Sequence, residues 1–226
     1  MGKKFTQEEI MGVLDQLYQK SIHGIEKVSP PIHELANDYL SRHSSPEIAA
    51  KSFVNYQVAK CTTSGFITGL GGLITLPVAI PANIGSVLYV QMRMIACLAY
   101  MGGYDTNSDQ VQTLVYACLA GVSVNQIIKN MGIQFGTKFT TAMVKKIPGS
   151  VLTKINQKVG FRFITKFGSK GIINLGKAIP LVGGVIGGGF DLVETKAIAK
   201  RSYHLFIEGD FSSLTDDSED IIDITP

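Results

Sequence analysis

The chain has 226 residues, of which 17% are charged, with 21 Lys and Arg against 18 Asp and Glu and a formal charge of +3. Charge this sparse, with a mean hydropathy of +0.20, places the composition between a soluble enzyme and a membrane protein. The three cysteines, Cys61, Cys97 and Cys118, sit in apolar stretches without C-x-x-C spacing; this excludes a disulfide framework or zinc site and points to buried, reduced thiols in the cytoplasm.

The N-terminal decapeptide MGKKFTQEEI has no apolar run behind its lysines, so no secretory signal is expected. Thr6 and Glu9 then form a capping box ahead of Ile10, Val13, Leu14 and Leu17, whose spacing makes one apolar helical face. Ser29-Pro30-Pro31 breaks the chain and predicts a second helix to about His43. Ser45-Pro46-Glu47 opens a third that runs towards Gly65.

From Cys61 to Met92 the chain carries no charged side chain. A membrane-spanning helix needs about 20 apolar residues in continuous helix, and Pro77 and Pro81 interrupt this run. With Gly69, Gly71 and Gly72 just before them, they predict an apolar helix–break–helix hairpin. Pro81 opens an apolar helix to about Tyr100, stopped by Gly102-Gly103. Ser108 or Asp109 caps the next helix, predicted as one piece from Val111 to Lys129.

Two basic helices are predicted over Phe135–Ile147 and Ser150–Phe167, and a last unit from Pro180 to Phe206. Gly183, Gly184, Gly187 and Gly188 fall four apart in two adjacent rows of that unit. Missing side chains in such rows let another backbone approach closely. No alternating strand pattern occurs. The fold class is therefore all-α: one multi-helix domain over residues 1–209 with a glycine/proline-rich apolar hairpin. An acidic, disordered tail is expected over 210–226.

Charge is unevenly distributed. Six of the 18 acids, Asp210, Asp216, Asp217, Glu219, Asp220 and Asp223, lie in the last seventeen residues, and no acid occurs between Asp109 and Asp191. A long cationic and apolar segment prefers a negative surface. Within it Lys154, Lys158, Arg162, Lys166 and Lys170 recur every four residues beside Val151, Ile155, Val159, Phe163 and Phe167. Such paired ridges suit a helix lying on anionic lipid, or equally a solvated face over a core-packing face. A step of four drifts about 40° on a helix, so the cationic row winds. Charge reversal along the row is expected to leave the fold intact.

Catalytic patterns are scarce. His23, His33, His43 and His204 are too few and too separated for a metal site, and no nucleophile elbow or Cys–His arrangement is visible. No cofactor or metal is expected. Asp191 and Glu194 share a helical face, where local ion pairs are commoner than acid–base work. Arg93, alone in an apolar helix, is expected to meet a buried acid or a lipid headgroup. Nucleic acid is a poor partner, since aromatic residues are few and no reader motif occurs.

The segments TSGFITGLGGLITLPVAIPANI, RMIACLAYMGGYD and IPLVGGVIGGGFDLVETKAIAKRSYHLF resemble the bacterial EcsC family over about Pro46 to Phe206. The family is named for a protein encoded beside an ABC transporter. The resemblance implies an all-helical, cytoplasmic or membrane-associated protein and implies no particular activity. In many members an acid follows the proline that opens the central helix. Asn83 stands near that place here, which weakens any carboxylate role at this position.

The expected function is binding rather than catalysis. The chain reads as an accessory or regulatory protein peripheral to the cytoplasmic face of a membrane, holding anionic lipid or a membrane-protein partner. An integral or pore-forming protein is the first alternative and a hydrolase with a non-standard site the second.

Overall fold

The computed structural model describes residues 6–61, 82–133, 138–167 and 185–210. Among these the chain is all-α: α1 (Gln7–His23), α2 (Ile32–Arg42), α3 (Pro46–Cys61), α4 (Ala82–Met101), α5 (Asp109–Ala120), α6 (Val124–Asn130), α7 (Thr141–Val144), α8 (Gly149–Phe167) and α9 (Val185–Phe206). The predicted break between α3 and α4, with Gly69, Gly71 and Gly72, lies outside the described residues, as do Gly183 and Gly184.

Helix starts follow the local sequence. The Thr6 hydroxyl accepts from the Glu9 amide at 3.1 Å, while the Thr6 amide donates to the Glu9 carboxylate at 3.0 Å. These bonds satisfy two amides that a helix N-terminus leaves without partners. Gly24 ends α1 at φ +79°, where a Cβ would also overlap the Ser29 carbonyl. Glycine alone fits this return, and the chain passes through Pro30-Pro31 into α2.

The fold is organised around α4. Every side chain from Leu88 to Ala99 is buried, and α1, α2, α3, α5 and α9 all pack on this helix. A helix apolar on all sides needs cover on all sides, and here neighbouring helices supply it. Arg93 meets neither of its predicted partners. Its guanidinium donates to the Ser21 carbonyl at 2.9 Å and to the Pro30 carbonyl, and so serves the end of α1 and the loop behind it.

The seam between α1 and α5 is polar but satisfied. Tyr116 donates to Asp15 Oδ1 at 2.7 Å, Gln112 donates to the same oxygen at 2.8 Å, and Tyr18 donates to the Thr106 carbonyl at 2.7 Å. Burial above all, reinforced by Asp15, pushes the Tyr116 phenol above the ordinary tyrosine range.

The uncharged run from Val111 to Ile128 is not one helix. Gly121 closes α5 in the left-handed region, Ser123 caps α6 by accepting from the Gln126 amide at 3.3 Å, and the two helices meet at a bend of 117°. No single helix among the described residues is long and apolar enough to cross a membrane.

Of the predicted helix over Phe135–Ile147, the described residues 138–147 are helical only over the four residues of α7. Lys138 pairs instead with Asp210 in an isolated antiparallel bridge, and the Phe139 amide donates to the Gly209 carbonyl at 2.8 Å. Asp210, the first residue of the expected tail, is thus held against residue 138. Residues 211–226 lie outside the described residues.

Gly102 marks the tightest crossing, where a Cβ would overlap the Phe206 carbonyl oxygen. Gly102→Ala must push α4 and the end of α9 apart, and is expected to lose about 2–3 kcal/mol. Gly12 is the contrast: it is helical, with open space at its Cβ, so Gly12→Ala should gain up to about 1 kcal/mol. Urea denaturation of both variants checks the pair. A Gly102→Ala protein as stable as wild type would contradict the crossing.

Candidate functional site

The predicted cationic ridge lies on α8, which packs against α1, α5 and α6. Val151, Ile155 and Val159 are fully buried and Phe163 nearly so. These four residues of the apolar row thus face the core; the side chain of Phe167 lies outside the described residues. Counting 100° per residue from Lys154 places Lys158, Phe161 and Thr165 within about 40° of it. This stripe is the solvent face: Lys154, Phe161 and Thr165 are exposed and Lys158 is half-buried. Phe161, with 64% of its surface exposed, was missed as a candidate because an isolated aromatic gives no periodic signal.

The cationic row leaves this stripe as it winds. By Arg162 it has turned about 80° from Lys154, and the half-buried guanidinium donates to the carbonyls of Ala120, at 2.9 Å, and Gly121. Arg201 of α9 donates to the Cys118 carbonyl at 3.2 Å. Two arginines from different helices thus converge on the C-terminal end of α5, where the helix dipole concentrates negative charge. Arg162, expected from the sequence as a lipid ligand, here ties α8 to the end of α5. Lys166 lies in α8 with its side chain outside the described residues, and Lys170 lies wholly outside them.

Further exposed cations precede α8. Lys145 and Lys146 follow α7 directly, and Lys129 and Lys138 are also exposed. The elements α6, α7 and α8 all fall in the acid-free interval, so their surface side chains bring no carboxylate of their own.

Arg162 and Glu194, with Leu88, Leu119, Phe163 and Thr165, line a cavity of about 250 Å³. The Thr165 hydroxyl donates to the Arg162 carbonyl at 2.8 Å. Among the described residues no His, Cys or Lys lines the cavity, and a guanidinium beside a carboxylate makes no nucleophile–base relay. The side chain of Asp191, the predicted companion of Glu194, is outside the described residues. Gly187 and Gly188 lie within α9.

Among the described residues the remaining candidates do not assemble into a reactive centre. Burial pushes the Cys97 and Cys118 thiols up to about 12, far from a reactive thiolate. His43 lies against the Tyr39 carbonyl and His204 against Glu208, while His23 and His33 are exposed elsewhere. Among the described residues no group of three or more His, Cys, Asp or Glu side chains is placed to hold a metal ion. Comparison with family models, curated proteins and solved structures finds no match for the chain.

Proposed function

We propose that the protein is a peripheral membrane-associated accessory protein whose α7–α8 face binds an anionic lipid surface on the cytoplasmic side. One observation carries this reading. A large exposed aromatic, Phe161, shares a solvent stripe with Lys154 and Lys158, within a stretch of chain that holds no acid. An aromatic ring lowered into the headgroup boundary with ammonium groups beside it is the usual chemistry of interfacial helices. The glycine-rich segments that resemble the EcsC family are consistent with membrane association and leave the ligand open. The reading is one of binding, supported by the exposed Phe161 beside lysines.

Each lysine near an anionic bilayer contributes about 1 kcal/mol. Changing Lys145, Lys146 and Lys154 together to Gln should therefore weaken binding to phosphatidylglycerol vesicles on the order of a hundredfold. All three side chains are exposed, so circular dichroism should show an unchanged fold. Co-sedimentation with phosphatidylglycerol and with neutral vesicles is the measurement. A folded triple variant that binds as wild type does would exclude this face. A wild-type protein that ignores anionic vesicles would exclude lipid and turn attention to a membrane-protein partner.

A further inference from the structure

We propose that residues 211–226 dock in cis on the basic α7–α8 face and compete there with anionic lipid, an inference that rests on the lipid reading for its consequence but not for the docking itself. The exit point is the first argument. The chain returns from α9 so that the Asp210 amide donates to the His204 carbonyl at 2.8 Å, and the Lys138–Asp210 bridge fixes its last described residue. Gly209 and Glu208 line the same surface cleft as Thr140 and Thr141. The acidic segment therefore leaves the body at the start of α7.

Reach is the second argument. The four residues of α7 advance about 6 Å, and Lys145 and Lys146 follow at once. Sixteen residues would span about 20–24 Å on average as a random coil, and about 50 Å if extended. Lys145, Lys146 and the first turns of α8 fall within that radius without any rearrangement of the helices.

Complementarity is the third. Residues 211–226 contain Asp216, Asp217, Glu219, Asp220 and Asp223 and no base. Five carboxylates within eight residues repel one another, and that repulsion is relieved beside a cationic surface. Lys145, Lys146 and Lys154 are exposed in the part of the chain that lacks acids. Ile221, Ile222 and Ile224 alternate with the last acids, which provides apolar groups for the exposed Phe161 ring. Tethering adds to this, because covalent attachment close to the surface would hold the segment at an effective concentration of about millimolar.

Two readouts on the intact chain and on a chain stopped after Asp210 test the proposal. Zero-length carbodiimide coupling at about 50 mM salt, where screening is weak, should join Asp216–Asp223 to Lys145, Lys146 or Lys154 within a monomer. The joined peptides are identified by mass spectrometry and should vanish near about 0.5 M salt. The shortened chain should bind phosphatidylglycerol vesicles on the order of tenfold more tightly at the lower salt, with no difference at the higher. Circular dichroism on both forms confirms folding.

Vesicle binding with neither cross-links nor a gain on shortening would overturn the docking and leave the lipid reading standing. Cross-links in a chain that ignores vesicles in both forms would uphold the docking and remove the lipid reading. Cross-links found only between two chains would overturn docking in cis. Cross-links with identical vesicle binding by both forms would overturn the competition.

Discussion

Arg93→Met is expected to lose about 4 kcal/mol of stability, a large part of the roughly 5–15 kcal/mol that holds a domain of this size. The residue is 8% exposed, and it donates to carbonyls of two segments, one on each side of the turn between α1 and α2. One is Ser21, in the last turn of α1, whose carbonyls lack helical partners; the other is Pro30. A hydrogen bond from a charged donor contributes about 1.5–3 kcal/mol, and its loss leaves a buried oxygen without compensation. Met keeps most of the stem volume, so the loss isolates the guanidinium. Lys should fall between the two, since it offers a point charge in place of a fork. Urea unfolding at constant m-value measures the series; a Met variant within about 1 kcal/mol of wild type would refute this role.

The second large effect separates two residues that look equivalent in the sequence. Arg162→Glu should lose about 4 kcal/mol. It removes the bonds to the Ala120 and Gly121 carbonyls and sets a carboxylate against the negative end of the α5 dipole. Lys154→Glu, two turns earlier on the exposed stripe, should change stability by no more than about 0.5 kcal/mol. Thermal and urea unfolding of the two variants decide the matter. Equal stabilities would mean that Arg162 is only another surface cation. Such a loss would run against the expectation that the whole row tolerates charge reversal, and a vesicle assay on a variant that includes Arg162 would then report unfolding, not lost lipid contacts.

Why the sequence separated Arg162 from Lys154 so poorly is a matter of phase. The drift of a four-residue repeat was visible, but where it turns from solvent to protein depends on the position of α5, which no local pattern contains. The same limit applies elsewhere. The capping box at Thr6, the prolines before α2 and α3 and the Ser108 cap were legible because caps and breaks are local chemistry. The bend between α5 and α6 was missed because an apolar run from Val111 to Ile128 has the same composition bent or straight. Gly121 followed by Ser123, a C-terminal cap with an N-terminal cap two residues on, was the available signal. Residues 138–140 were predicted helical because their partner is seventy residues away at the end of α9. The proposed surface was half legible: charge asymmetry pointed to α8, while the exposure of Phe161 needed the packed structure.

The encirclement of α4 has a kinetic consequence. Its cover comes from α1, α2 and α3 on one side of the sequence and from α5 and α9 on the other, so neither half of the chain alone can shelter it. Partial openings that release one neighbour leave the remaining walls in place, and the middle of α4 should exchange its amide hydrogens only when the whole molecule opens. Exchange there would report the global unfolding equilibrium. The pairing of chain ends distant in sequence around one helix also raises contact order, which slows folding relative to a simple up-and-down bundle. Until α9 arrives, the growing chain carries its most apolar helix without its last wall.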